Sequence, residues 1–192
     1  MLSKLYIKFL MFLIGIVDLS NKKKIINFFK SKLNRKLVLI FDIGAHKGES
    51  VKLFMKHLNI KKIYSFEPNI SLYNSLINNK YLNNEKVEFF NFALGNINEK
   101  KNLNILSDTS SSTFNYLDEN TKYFKKKSKI ITLFSNLNKF YSERQDSKIV
   151  KSSDFIKENN IEYINILKID TEGYEYSILN RLIADNFKKI DY

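Results

Sequence analysis

The sequence predicts an α/β fold built on a doubly wound, mostly parallel sheet. First, a short apolar run at 37–41 leads through a glycine-containing turn into residues with helical spacing from Glu49 onward. Second, strand and helix patterns alternate beyond this unit without a linker, which is typical of crossover connections. Third, a carboxylate, Glu67, stands where the second strand ends, at the edge where open parallel sheets bind ligands.

The other elements follow from the same periodicities. Apolar residues at helical spacing indicate the first helix, namely Val51, Phe54, Met55 and Leu58. Later apolar segments predict, in order, a strand at 62–66, a helix at 70–82, a strand at 87–92 and a fourth strand at 164–169. Residues 96–150 are rich in Asn, Ser and Lys and lack a long helical period. We expect them to form a variable insert of short strands and loops over the site.

The turn after the first strand contains five candidate cofactor-binding residues, Asp42, Gly44, Ala45, His46 and Gly48. A dinucleotide-binding turn usually carries a second glycine that lets the backbone touch a diphosphate, and here that position is His46. An imidazole would crowd a diphosphate, but it need not obstruct S-adenosylmethionine, which has a ribose and no phosphate. The turn therefore favours S-adenosylmethionine over NAD.

The position of Glu67 supports the same cofactor. It follows Gly48 by nineteen residues, close to the interval of roughly 20 residues at which an acidic side chain meets ribose hydroxyls in such folds. Both features also have a purely structural explanation, because a glycine turn can serve packing alone and Glu67 could be a solvated loop carboxylate. Their agreement in spacing favours the cofactor interpretation.

Five segments together resemble the FkbM family of S-adenosylmethionine-dependent methyltransferases. They are D-I-G-A-H-K-G at 42–48, F-E-P at 66–68, A-L-G at 93–95, S-S-S-T at 110–113 and I-L-K-I-D-T-E-G-Y-E at 166–175. The resemblance covers residues 37–192 and implies a class I, Rossmann-like methyltransferase fold. It also implies that Ala93 lies where the adenine ring is held. The methyl acceptor implied by the family is a hydroxyl group of a sugar, a polyketide or a related metabolite.

Three residues at the end of the fourth strand are the candidate catalytic residues. Asp170 and Glu172 could supply the general base that a weakly nucleophilic hydroxyl needs. Lys168 could orient Asp170 or lower its pKa. Alternatively, Asp170 caps a helix that starts with residues 171–173, and the two roles can coexist. The two carboxylates would also permit a magnesium-assisted mechanism, but the resemblance requires no metal and we predict none.

Composition excludes several classes of site. The 192 residues are 44% hydrophobic, enough for one domain with one core. The absence of cysteine excludes disulfides and thiolate metal sites, and His46 and His57 lack a metal-ligand spacing. The serines at 110–112 could contact the acceptor hydroxyl or the cofactor carboxylate, although loop serines are usually only solvated.

The net charge of +12 is concentrated before the first strand. Residues 1–36 contain nine basic residues and one acidic residue, whereas a nucleic-acid methyltransferase needs basic groups around its cleft, so we expect no nucleic-acid partner. Their apolar stretch, 9–17, is shorter than the roughly 20 residues that span a bilayer. We interpret 1–36 as a basic amphipathic leader that either contacts a membrane surface or packs on the methyltransferase domain, 37–192.

Several questions stay open at the level of the sequence. We expect a cytoplasmic location, with peripheral contact at the inner face of the membrane as an alternative. A cleaved signal peptide is less favoured because no small-residue cleavage motif follows the apolar stretch.

The chain could instead be an inactive fold that serves as a binding or scaffold protein, or an NAD-dependent nucleotide-sugar enzyme. A class I sheet has seven strands by resemblance and the fifth only begins at 188–192, so we expect a truncated chain whose own activity is uncertain.

Overall fold

The computed structural model describes residues 20–106, 112–115, 121–122, 125–126, 141–185, 187 and 189–192. Strands and helices alternate in the first half of the chain, as the sequence predicts. In chain order the elements are α1 (20–33), β1 (Val38–Ile43), α2 (Glu49–His57), β2 (Ile60–Phe66), α3 (Ile70–Ile77), β3 (Val87–Phe90), β4 (Ala93–Gly95), β5 (Glu99–Leu106), β6 (Tyr141–Lys151), α4 (Ser152–Glu158), β7 (Ile166–Ile169) and α5 (Glu175–Ala184).

β1 lies inside a four-stranded parallel sheet with the order β3-β2-β1-β7. All six of its residues are buried, because helices cover both faces of the sheet. Alternate residues enter two different cores: Val38 and Ile40 pack with α1 and α2, whereas Leu39, Phe41 and Ile43 pack with α4 and α5. The α/β fold with a mostly parallel central sheet is confirmed.

A second sheet departs from the sequence prediction. The third predicted strand continues to residue 92, but β3 ends at Phe90, and Ala93–Gly95 belongs to a separate sheet with the order β4-β6-β5. There β4 pairs in parallel with β6, and β6 pairs antiparallel with β5. The described part of the 96–150 insert therefore contains a long two-stranded ribbon. Apolar runs do not reveal a change of sheet, because hydrogen-bond partners define it.

The second predicted helix is shorter than expected. α3 begins after Asn69, whose side chain accepts two backbone N–H groups of the first turn, and it ends at Ile77 rather than at residue 82. Leu82 is nevertheless buried in the core. The Asn79 side chain accepts the N–H of Tyr81. Such local hydrogen bonds compete with the helical ladder and explain why the helix stops early.

The helix α1 packs on the domain. Ile26 and Leu33 are buried, and the ring of Phe29 contacts the ring of Phe54 on α2. In the described part of the leader, the packing alternative is therefore the one observed, because an apolar stripe at helical spacing covers the sheet. Residues 1–19, which include the whole apolar stretch 9–17, lie outside the described residues. None of the helices in the described ranges has the combination of length and hydropathy that a membrane span requires.

The last residues lie along the outer edge of β7. Ile164 forms a parallel bridge with Ile190, and the N–H of Ile164 donates to the carbonyl of Lys189. The ring of Tyr192 packs against Phe28 of α1. Residues 189–192 belong to the segment in which the sequence predicts the start of a fifth strand, but they form an isolated bridge rather than a strand.

Candidate functional site

A cavity of about 320 Å³ lies at the carboxyl ends of β1, β2 and β7. This is the edge at which the sequence predicts ligand binding, and the volume falls in the ~300–1,000 Å³ range of ligand pockets. Eight of the ten predicted site residues line it, namely Gly44, Ala45, His46, Glu67, Ala93, Lys168, Asp170 and Glu172. Two do not line it, Asp42 and Gly48.

Glu67 is an acidic residue of the cavity whose two carboxylate oxygens each accept a backbone hydrogen bond. It is only 6% exposed. One carboxylate oxygen accepts the N–H of His46 at 2.7 Å, and the other accepts the N–H of Asn69 at 3.0 Å. A carboxylate has about four acceptor sites, so two remain free for a ligand. Burial raises the pKa of Glu67 to about 7, although the two N–H groups act in the opposite direction.

His46 holds an unusual backbone conformation in the turn. Its φ of 52° lies in the left-handed region, which non-glycine residues rarely adopt, and its N–H is fixed by Glu67. Burial, with a contribution from Lys47, lowers the pKa of the imidazole and favours its neutral form. Within the described residues, its Nε2 atom is buried and has no hydrogen-bond partner.

The two glycines of the turn serve packing between protein segments. Gly44 has a φ of 83°, and a Cβ atom there would collide with the backbone carbonyl of Asp170. Gly48 has a φ of 75°, and its Cβ would collide with side-chain atoms of Leu76 and Leu82. The sequence analysis counts both glycines among the cofactor-binding residues; these contacts give each a packing role as well, and of the two only Gly44 lines the cavity. Gly44 lets β7 close against the turn, and Gly48 faces the core.

Asp42 belongs to a row of polar residues across three strands. Ser65, Asp42 and Lys168 are register partners on β2, β1 and β7. The Ser65 hydroxyl donates to Asp42 Oδ2 at 3.1 Å, and Lys168 Nζ lies 3.1 Å from Asp42 Oδ1. Burial raises the pKa of Asp42, while Lys168 and Ser65 oppose this effect. Because the Asp42 side chain is buried and its oxygens contact side chains of β2 and β7, it does not line the cavity.

Lys168 has partners that the sequence interpretation did not assign. Besides Asp42, its ammonium group donates to the carbonyl oxygen of Gly44 at 2.5 Å. The expected partner was Asp170, two residues further along the chain. Lys168 instead joins the end of β7 to the turn after β1. Sequence proximity was misleading here because neighbouring strands bring closer partners than the same strand does.

Asp170 lies at the exposed rim of the cavity. Its N–H donates to the carbonyl of Ile43, which extends the pairing of β1 with β7. The helix-cap alternative is wrong, because α5 begins only at Glu175, with Tyr174 as the cap residue. The intervening loop is held by Glu175, whose carboxylate accepts hydrogen bonds from the N–H and hydroxyl of Thr171 and from the N–H of Gly173.

The insert contributes to the same site. The Thr113 hydroxyl donates to the carbonyl of Glu172, whose φ is 52°, and the Asn115 amide donates to the carbonyl of Gly173. Ser112 lines the cavity, and its hydroxyl is buried without a hydrogen-bond partner among the described residues. Ser110 and Ser111, the rest of the predicted serine contact, lie outside the described residues.

Several residues of the site were not identified from the sequence. Asn69 could have been found, because an Asn just before an apolar helical run is a typical helix cap. Glu175 was included in a motif but received no role. No sequence pattern indicated a role for Ser65, because its contact with Asp42 depends on the register between β1 and β2. Phe114 and Tyr174, which line the cavity and contact each other, lie far apart in the chain.

The donor set of the cavity does not form a metal centre. Among the residues that the structure describes, no group of three or more His, Asp or Glu side chains could hold a metal ion. The cavity instead combines a buried acceptor, Glu67, an apolar wall that includes Phe66 and Leu94, and an exposed carboxylate, Asp170. This arrangement can bind a polar group at one end, cover an apolar group and accept a proton at the rim.

Comparisons with known proteins agree with the motifs. A family model described as the methyltransferase FkbM domain matches residues 42–190, more than half of the chain. The matched range contains every candidate site residue. A search of curated proteins and a search of solved structures give no significant match.

Proposed function

The chain belongs to the FkbM methyltransferase family, and from this premise we propose that it transfers the methyl group of S-adenosylmethionine to a hydroxyl group of a sugar or another small metabolite. The observation that carries the choice of cofactor is Glu67. It is a buried carboxylate with free acceptor positions at the end of β2, where ribose hydroxyls are bound in folds of this kind.

The residues of the cavity fit this cofactor. Glu67 would accept hydrogen bonds from the two ribose hydroxyls. Ala93, Leu94 and Phe66 supply the apolar surface that an adenine ring needs. The buried hydroxyl of Ser112 has no partner among the described residues, and it would contribute a polar contact to the amino-acid end.

The chemistry requires positioning and a proton acceptor. S-adenosylmethionine supplies, when bound, an electrophilic methyl group on a sulfonium. Asp170 would accept the proton of the acceptor hydroxyl as that oxygen becomes the nucleophile, a role that contributes roughly 10²–10⁴-fold to a rate. Glu175 fixes the loop after Asp170 through hydrogen bonds to Thr171 and Gly173. Glu172, exposed in this loop, is the second acid that could orient the acceptor.

Calorimetry with S-adenosylmethionine, its demethylated product and NAD tests the cofactor. We expect the first two to bind and NAD not to bind. Glu67→Ala should weaken binding by roughly 1.5–3 kcal/mol for each charge-assisted hydrogen bond that is lost. Glu85→Ala, at an exposed acid outside the cavity, is the matched control. Equal affinity in wild type and Glu67→Ala would show that Glu67 does not bind the ribose.

Turnover tests the enzymatic part of the proposal. Labelled S-adenosylmethionine incubated with a panel of sugars and small hydroxyl compounds should yield a labelled methyl ether with at least one of them. Cofactor binding without transfer to any acceptor would favour the alternative of an inactive binding or scaffold protein. NAD binding would favour the nucleotide-sugar enzyme, which has no other support in the cavity.

A further inference from the structure

A second cavity lies at the amino ends of the central strands, opposite the candidate functional site. It has a volume of about 460 Å³ and is formed where α1 and α2 end and where β1 and β2 begin. We call it the basic pocket, because four of its lining residues are basic, namely Lys30, Arg35, Lys36 and His57. Val38 lines the basic pocket and Ile43 lines the candidate functional site, so five residue steps along β1 separate the two, roughly 17 Å at a rise of about 3.3 Å per step.

Among the described residues, no acidic residue lines the basic pocket, although Glu85 lines the cavity next to it. The two chain segments that form the basic pocket, 20–41 and 50–66, contain no Asp or Glu. Lys30, Arg35 and Lys36 make no side-chain ion pair with any residue that the structure describes. Basic residues elsewhere in the described chain, such as Lys62 and Lys168, do have acidic partners.

The negative partial charges at the C-termini of nearby helices balance only part of the positive charge of the basic pocket. Two helices, α1 and α2, end at the basic pocket, and each C-terminus carries roughly −0.5 charge, which basic residues commonly balance. Three fully charged side chains therefore leave a surplus of about +2. His57 adds none while it is neutral, and its pKa is lowered by desolvation and by Lys30 and Lys56. The pocket is thus more positive than the helix ends require.

We propose that the basic pocket binds a phosphoryl group, either of a soluble phosphorylated compound or of a phospholipid headgroup. The planar guanidinium of Arg35 suits two-point contact with phosphate oxygens, and Lys30 and Lys36 add point charges. Ile25 and Phe28, on the same helix as Lys30, are about half exposed, which suits contact with lipid chains if the headgroup is the source. This proposal does not depend on methyl transfer.

Paired variants test whether the pocket itself binds phosphate. Inorganic phosphate binding is measured by calorimetry in the full chain, in the double variant Lys30→Gln/Arg35→Gln and in the control double variant Lys80→Gln/Lys100→Gln. The control removes the same charge from exposed positions outside the pocket. We expect binding about tenfold weaker in the pocket variant, equivalent to ~1.4 kcal/mol, and unchanged in the control. Equal weakening in both variants, or in neither, would overturn the proposal.

A measurement on the wild-type chain covers the case in which the pocket variant does not fold. Phosphate titration followed by amide NMR should give saturable shifts at residues 33–36 and 57–59. Shifts spread evenly over the surface would overturn the proposal.

The source of the phosphoryl group is tested with two probes. The first is vesicles of equal parts phosphatidylcholine and phosphatidylglycerol, and the second is glycerol phosphate. A lipid source predicts pocket-dependent vesicle binding, and a soluble source predicts pocket-dependent binding of glycerol phosphate alone. Binding of both probes that persists in the pocket variant would contradict the assignment.

Discussion

Lys168 Nζ lies 3.1 Å from Asp42 Oδ1, and the Asp42 side chain is completely shielded from solvent. The two residues are register partners on neighbouring parallel strands. Because the same ammonium group also donates to the carbonyl of Gly44, the pair joins the carboxyl end of β7 to the turn after β1. The sequence analysis lists Asp42 with the cofactor-binding residues and Lys168 with the catalytic residues, whereas in the structure the two form one ion pair.

Lys168→Met should destabilise the fold, because it leaves the buried Asp42 carboxylate without its counter-charge. Breaking one partner of a buried pair typically costs about 3–5 kcal/mol. Denaturant unfolding measures this loss, and adding Asp42→Asn to the same chain should recover part of it. A Lys168→Met protein that keeps its stability but loses turnover would instead support the role of orienting Asp170.

Asp170→Asn should reduce methyl transfer by about 100-fold or more if Asp170 is the general base. Stability should change by less than about 0.5 kcal/mol, because the side chain is exposed and α5 begins after Tyr174. Steady-state rates and thermal unfolding are measured on the same preparation. Glu172→Gln is the companion variant, and unaltered turnover in both would remove this pair from the mechanism.

Gly44→Ala should be more damaging than Gly48→Ala. Both positions have positive φ, but the new Cβ meets a backbone carbonyl at Gly44 and the ends of two leucine side chains at Gly48. Leucine ends can move more easily than the backbone just after β7, so we expect a loss of about 2–5 kcal/mol for Gly44→Ala and less for Gly48→Ala. Urea denaturation curves compare the two, and the reverse order would contradict the packing account.

Glu67 should make the fold less stable as pH rises. Its folded pKa of about 7 exceeds the ordinary value of 4.5. Between these values the folded state holds a proton that the unfolded state has lost, so stability is full below about pH 4.5 and decreases until about pH 7. The loss is about 3 kcal/mol at most.

The neutral variant Glu67→Gln isolates this effect. The difference in unfolding free energy between wild type and variant should change with pH over this window, in favour of the variant at higher pH. Glu85→Gln, at an exposed acid, serves as the control and should show no such change. A difference that does not vary with pH would mean that Glu67 is ionised throughout.

The patterns in the sequence are sufficient to predict the central parallel sheet and the edge at which the candidate site lies. The apolar run of β1 and the turn that follows predict a parallel strand, and such strands place their carboxyl ends together. Glu67 could therefore be assigned to the cavity from its position after β2 alone. The motif around Asp170 could be assigned to the same edge for the same reason.

Which residues face each other at that edge cannot be read from these patterns, because it depends on how the strands are aligned. Asp42 and Lys168 are 126 residues apart, and their contact depends on the register between β1 and β7. The collision that a side chain at Gly44 would have with Asp170 depends on the same register. Long crossover connections bring such strands together without fixing their register, so packing across the two cores sets it. Hydrophobic periodicity thus predicts which strands exist, and the contacts between strands determine the role of each polar residue.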